Sequence, residues 1–396
     1  MDHLPAELHE DIIDRLSWQI DVKQFVQLRR VSLVSSLLRT KRADSYFVAF
    51  PDLSSWPVGL GACFLRWQRY EKIPEQRRVI HPSLEIIIDS VIHELYQGPR
   101  QATGRTKASL ELDVYAAIIR NRVLQDCMRR VVSKHHREPD ERNMASLTYL
   151  SPEDVPERTT WSPLDMVTAS AALGLNKEMR YYESLGEKQA LSYLFGLPIE
   201  AASAGGHLNI VIDIYNQIGH ELVVEKYFYS GFCASLIGGS RKTASWWHDL
   251  VPDKTFDYDH SVVLRSTLCV VCRQGDLYLL KLLISQAKLT PSKDMELLYI
   301  GLTRAAYRSH IEMIHYLVEL GVQPAYNNWG DVALISAVLS GNLVTVQTLL
   351  DLGADVDQKD IDRWSAKGMA KKMGFSEILQ LLEKSSMTSS EPLGTA

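Results

Sequence analysis

The chain has 396 residues, a formal net charge of −5, and 46% hydrophobic and 23% charged residues. That is enough for two or three domains or one elongated array. The charge gives the whole chain no pull toward nucleic acid or an anionic membrane, so neither is expected as a direct partner. The opening "MDHLPAELHEDIID" lacks the basic and apolar regions of a signal peptide, and no apolar run approaches the roughly 18 residues of a membrane span. Five cysteines, few and odd in number, fit a reducing compartment. A cytoplasmic and/or nuclear protein is therefore expected.

In residues 4–32, Leu4, Pro5, Leu8, Ile12, Ile13 and Leu16 are followed by Val22, Phe25, Val26, Leu28 and Val31. Spacings of three and four predict two amphipathic helices, with Pro5 acceptable near the start of the first. The pattern resembles an F-box, a helical motif that docks on the linker subunit of SCF-type ubiquitin ligases. The resemblance covers 1–48 and implies that Leu4, Pro5, Leu8 and Ile12 bind a partner. It departs from the family by one extra residue between Leu16 and Asp21, and by Leu33-Val34 where an aromatic is usual. The competing reading is a two-helix N-terminal cap.

Residues 49–150 are expected to form a helical linker region, since "PSLEIIIDSVIHELYQ" and "ELDVYAAIIRNRVLQDCMRRVVSKHH" both carry helix periodicity. The loop "GPRQATGRTKAS" separates them, and "REPDERN" precedes a boundary near Ser151.

From 151 to 383 the chain repeats itself. The skeleton Leu334, Ala337, Gly341, Val346, Leu349, Leu350 and Gly353 returns as Leu302, Ala305, Ser309, Ile314, Leu317, Val318 and Gly321, and earlier as Leu268, Val271, Gly275, Leu280, Leu283 and Ile284. Further copies follow Ile199-Ala202-Gly206 and Ala370-Gly374, and 162–186 and 233–247 are degenerate. With Gly174, Gly206, Gly238, Gly275, Ser309, Gly341 and Gly374 as the reference slot, the spacings are 32, 32, 37, 34, 32 and 33. Each unit writes a short helix, a reversal and a second helix, which cannot bury both faces unless it stacks on its neighbours.

Period and residues resemble the ankyrin repeat, most specifically in "ALISAVLSGNLVTVQTLLDLGADVD". The implied fold is all-α: a solenoid of about seven irregular repeats behind an α-helical N-terminal region. The family's Thr-Pro-Leu-His start survives best as Ser162-Pro163-Leu164-Asp165 and is lost at Val332-Ala333-Leu334-Ile335. Lys367, Lys371 and Lys372 suggest a polar C-terminal cap, and 384–396 a disordered tail. An F-box-like start before irregular ankyrin repeats resembles an arrangement in filamentous-fungal proteins, some described as transcription coregulators of biosynthetic gene clusters.

No stretch makes a case for catalysis, a cofactor or a metal. "GPRQATGRT" has the wrong spacing for a phosphate loop and carries Arg105 in place of lysine. "CVVC" (269–272) lacks a second ligand pair, and Cys272 falls in a small-residue core slot, so buried thiols are expected. "RRVVSKHHR" reads as a nuclear-import signal, a patch for an acidic partner, or the solvated face of a helix.

The expected function is non-catalytic recognition of protein partners. In the tip "AYNNWGD", Tyr326 and Trp329 are candidate anchors, with the alternative that Trp329 folds onto its own turn. Trp364 stands in the next tip, and Arg304, Tyr307 and Arg308 are expected on the inner side of their helix. The partner is either a ubiquitin-ligase linker subunit, with the repeats selecting its substrate, or a transcription factor.

Overall fold

The computed structural model describes residues 62, 82–97, 105–132, 160–186, 191–192, 194–254, 261–326, 332–361 and 363–388. The expected F-box-like pair with Leu4, Pro5, Leu8 and Ile12, the tip residue Trp329, and residues 389–396 lie outside them.

Two helices, α1 (Pro82–Gln97) and α2 (Lys107–Val132), precede seven helix pairs among the described residues. The pairs are α3/α4 (Pro163–Leu173, Asn176–Glu183), α5/α6 (Pro198–Gly205, Leu208–Ile218) and α7/α8 (Phe228–Ile237, Arg241–Leu250). Next come α9/α10 (Ser261–Gln274, Leu277–Ala287) and α11/α12 (Pro291–Tyr307, Ile311–Glu319). The last are α13/α14 (Ala333–Ser340, Leu343–Asp351) and α15/α16 (Ala366–Met373, Ser376–Thr388). A π-helical turn, Val223–Tyr227, leads into α7. The β-structure among the described residues is two isolated bridges, Ser192 with Gly196 and Lys359 with Ser365.

Local chemistry fixes where the helices begin and end. Ser162 and Asp165 form a capping box at the start of α3: the Ser162 hydroxyl accepts from the Asp165 N–H at 3.2 Å, and the Asp165 carboxylate accepts from the Ser162 N–H at 3.0 Å. The other Asp165 oxygen accepts from the Ser192 hydroxyl at 2.9 Å, so this buried aspartate also ties the first repeat to the finger of the second. The first helix of each pair ends on a left-handed residue: Gly174, Gly206, Gly239, Gly275, Ser309, Gly341 and Gly374, with φ between 57° and 78°.

In the third repeat this corrects the expected slot by one residue. Gly238 has φ −73°, and a Cβ on it would lie 2.0 Å from the Ala204 carbonyl oxygen. Gly238 is there for close approach of two helices, and Gly239 makes the left-handed turn.

At several joints the residue following the left-handed position reaches back over the preceding repeat. His207 Nε2 donates to the Ala172 carbonyl at 3.1 Å, and His310 Nε2 donates to the Arg273 carbonyl at 3.0 Å. A Cβ on Gly174 or Gly275 would fall 2.6 or 2.4 Å from these imidazoles. Phe375 sits over Gly341 in the same way. Each contact satisfies or shields the open C-terminal end of an inner helix. Burial lowers the pKa of both histidines, against the pull of their backbone acceptors, so each is held neutral.

The first helices form one continuous row, α3 to α5 and so on to α15, each packed on the next through small residues such as Ala169, Ala202, Ala305 and Ala337. The second helices form the other layer. α1 packs on α2 and α3, and the Tyr182 hydroxyl donates to Glu94 of α1 at 2.8 Å. α2 lies across the first-helix row, against α3, α5, α7 and α9 in turn. Its residues Val114–Ile119 are all buried, which a helix manages when covered on every side.

Candidate recognition face

The row of first helices is the inner face of such an array, the face that repeat proteins use as an extended binding surface. With the left-handed residues as register marks, equivalent positions can be compared repeat by repeat. Two residues before the mark the series runs Ala172, Ala204, Ile237, Arg273, Tyr307, Leu339, Lys372. Five residues before it runs Ala169, Ala201, Ala234, Val270, Arg304, Ser336, Met369. Both series are small or apolar in the first three repeats and become large or polar in the last four.

Exposure follows the same division. Ala172, Ala204 and Ile237 are 6, 5 and 2% exposed, whereas Tyr307 is 40% exposed and Lys372 lies in solvent. The cause is α2. Its Ala117, Arg120 and Asn121 face Ala172, Ala201 and Ala204 across a cavity of about 10 Å³. That is room for one water. Arg120 Nε, Asn121 Oδ1 and Glu200 Oε2 all lack a protein partner there, which suits a bridging water. Burial raises the pKa of Glu200 and lowers that of Arg120. At the near end Arg105 bonds Asp113 at 2.8 Å and the Leu173 carbonyl at 3.1 Å. Its role is to seat α2 on the end of α3.

The expected site residues fall as follows. Arg304 and Tyr307 lie on α11, half-exposed and exposed, and burial of its hydroxyl raises the pKa of Tyr307 against the opposing Arg304 charge. Arg308 closes α11 as its C-cap, half-exposed beside them. The structure brings these three together. Tyr326 is turned toward the core: its ring stands edge-on to Tyr299 at 5.3 Å, and its carbonyl accepts from Gln358 at 3.0 Å. Trp364 is exposed on the following finger, where Lys372 lies 4.5 Å over its ring and the Trp364 N–H donates to Asp360 at 2.8 Å. Trp329 is outside the described residues.

The cysteine pair "CVVC" divides as the repeat register expects. Cys272 is fully buried between α9 and α11, where a Cβ on Gly301 would meet its sulfur at 3.2 Å. Burial raises the thiol pKa well above its ordinary value. Cys233 is likewise buried, its thiol pushed up to about 12. Among the described residues no cluster of three or more His, Cys, Asp or Glu could hold a metal, and no helix is long and apolar enough to cross a membrane.

The family described as "Ankyrin repeats (3 copies)" matches residues 268–360, which span α9 to the finger after α14. The array is an ankyrin-repeat solenoid. Similar solved structures include the ankyrin repeat domain of human ASB11, at 17% identity over 55% of this chain and 96% of that one, with a TM-score of 0.43. The ankyrin repeat domain of Bcl-3, a member of the IkappaB family, is 22% identical over 48% of this chain and 85% of that one, with a TM-score of 0.36. No curated protein matches the sequence. The repeat fold indicates protein–protein interaction.

Sequence reasoning missed the seat of α2. Two signals pointed to it: the unbroken apolar run within "DVYAAII", and the alanines at the inner positions of the first repeats.

Proposed function

We propose that this protein is a non-catalytic adaptor whose ankyrin repeats select a protein partner and whose N-terminal segment recruits a ubiquitin ligase of the SCF type. The carrying observation is an inner-helix face left open in the later repeats and lined by Arg304, Tyr307 and Leu339. For the N-terminal half of the reading, the support is the F-box-like spacing of Leu4, Pro5, Leu8 and Ile12. In addition, α1 already packs against the first repeat, which weakens the case for 4–32 as a further cap. In this reading Trp329, Trp364 and Tyr326 belong to the fingers beside the face, and Arg304 and Arg308 set charge preference.

The test is pull-down of the purified ligase linker subunit by full-length protein. Binding that Leu8→Asp abolishes, at an unchanged melting temperature, supports the adaptor. Absence of binding by the wild-type chain removes the ligase half. The alternative, a nuclear transcription coregulator of the fungal kind, then becomes the leading reading, and recovery of a transcription factor with the tagged protein supports it.

A further inference from the structure

α2 sits on a floor that repeats itself. Beneath it the inner columns read Ala169, Ala172, Ala201, Ala204 and Ala234, all buried, and the helix packs on α3, α5, α7 and α9. Its own sequence is periodic as well. Leu110, Val114 and Ala117 are buried, and the same spacings of four and three continue through Asn121 to Leu124 and Met128. Seven residues advance a helix by about 10.5 Å. Packed helices lie about 8–10 Å apart, so a slip of two turns brings α2 back to a nearly equivalent floor. Apolar burial is non-directional and scarcely separates the two positions.

Asn121 does separate them. It is the polar member of an otherwise apolar series, and it is buried. Its Nδ2 donates to the Leu194 carbonyl at 3.0 Å, and a Cβ on Gly196 would lie 2.4 Å from its Oδ1. At the water-sized cavity, Arg120 Nε offers one donor, and Asn121 Oδ1 and Glu200 Oε2 offer two acceptors. A water complements that set by accepting once and donating twice. A cation would face the Arg120 guanidinium and an anion would face two oxygens, so the fitting occupant is neutral. The carboxyl is peculiar to this repeat. Six residues before each left-handed mark the series runs Thr168, Glu200, Cys233, Cys269, Thr303, Ile335, Gly368. A slipped α2 would therefore find the alanines again, but not Glu200.

We propose that Asn121, Arg120, Glu200 and the water between them form a register lock, which holds α2 at one position along the inner-helix row. The lock thereby fixes which repeats are covered and which stay open, and in that consequence alone it rests on the recognition reading above. Stability does not require these groups. An apolar junction of the same shape is on average no less stable, because buried polar atoms exchange one set of hydrogen bonds for another. What an apolar junction lacks is a preferred position. A lone polar residue in an apolar helical seam supplies one by leaving buried donors and acceptors unmet in every other register.

The experiment places spin labels on unnatural residues at two exposed positions of the full-length protein, Ser109 on α2 and Lys242 on α8, and reads the distance between them. The unsubstituted junction is expected to give one narrow distance. Asn121→Leu with Glu200→Leu is expected to keep its melting temperature within about 5 °C of that protein. It is also expected to add a second distance displaced by about 5–10 Å, one or two helical turns. Asn121→Ala with Glu200→Ala, which cannot overpack the cavity, gives the same spread. Glu200→Gln, which keeps an acceptor, retains the single distance. One unchanged narrow distance in either folded pair overturns the lock. Failure of both pairs to fold overturns it too, since the polar contacts would then supply stability and not position. No partner is present in these measurements, so their outcome is separate from the pull-down that tests the adaptor.

Discussion

The first three repeats and the last three share a register, a turn geometry and a packing scheme, yet their inner faces have opposite fates. In the first three repeats, under α2, the columns read alanine and isoleucine; in the last three they read mainly arginine, tyrosine, leucine and lysine. One backbone plan thus yields a core interface at one end and a solvated strip at the other. The difference lies in about two side chains per repeat. A repeat position has no fixed environment: what covers the repeat decides it.

The strongest test of this contrast places the same side chain at equivalent positions in the two halves. Ala204→Arg puts a charge beneath α2 and is expected to cost about 3 kcal/mol or more, because the cavity there holds no more than a single water and has no space for a solvated guanidinium. Leu339→Arg, at the equivalent position in the open half, is expected to cost less than about 1 kcal/mol. Urea denaturation of the two variants checks this, and equal losses would erase the distinction between the halves.

Ile118→Ala, on the buried stretch of α2, is expected to destabilise the protein by about 2–4 kcal/mol through the cavity it leaves. An effect below 0.5 kcal/mol, on the order of a surface change, would mean that α2 is loosely held. Gly341→Val combines a left-handed φ of 73° with a Cβ 3.2 Å from Phe375, and about 1–3 kcal/mol is expected. Its melting temperature tests the reversal in the open half, where α2 gives no support.

The smallest effect is a pH dependence. Burial holds the folded-state pKa of His207 and His310 below the ordinary value, so the unfolded chain binds more protons near pH 6. The stability they contribute is present above about pH 6.5 and declines as pH falls toward the folded-state pKa. His207→Asn with His310→Asn should flatten the melting temperature between about pH 7 and 5.5 relative to wild type. His207 faces Arg105 and Arg120 near α2, whereas His310 faces Arg308, so the single variants compare the halves again. Unchanged slopes would show that both imidazoles titrate freely.

The period and most reversals were legible because a left-handed turn selects glycine and the register then repeats about every 33 residues. The third repeat misled by one position because Gly238 and Gly239 are adjacent and serve different ends, close approach and turn. Cys272 was legible as a core residue from its slot alone. The seat of α2 was not, since helix periodicity reports which face is apolar and says nothing of a partner many residues away. Tyr326 shows the same limit: an aromatic in a tip reads as exposed until the ring that meets it, Tyr299, is placed.

A repeat array with contacts between neighbours alone unfolds as a chain of weakly coupled units, and its ends fray first. A helix in contact with four successive units changes that behaviour, because none of the four can open without surrendering contacts that the other three also use. The N-terminal repeats are thereby welded into one cooperative block, and the C-terminal repeats keep the graded, unit-by-unit stability of an open solenoid. Amide exchange through that block would proceed as a single slow step, with a gradient of faster exchange beginning beyond α9. Folding inherits the same asymmetry: the block must close a long chain loop between α2 and α9 before it gains its core, and the remainder extends from it by local steps.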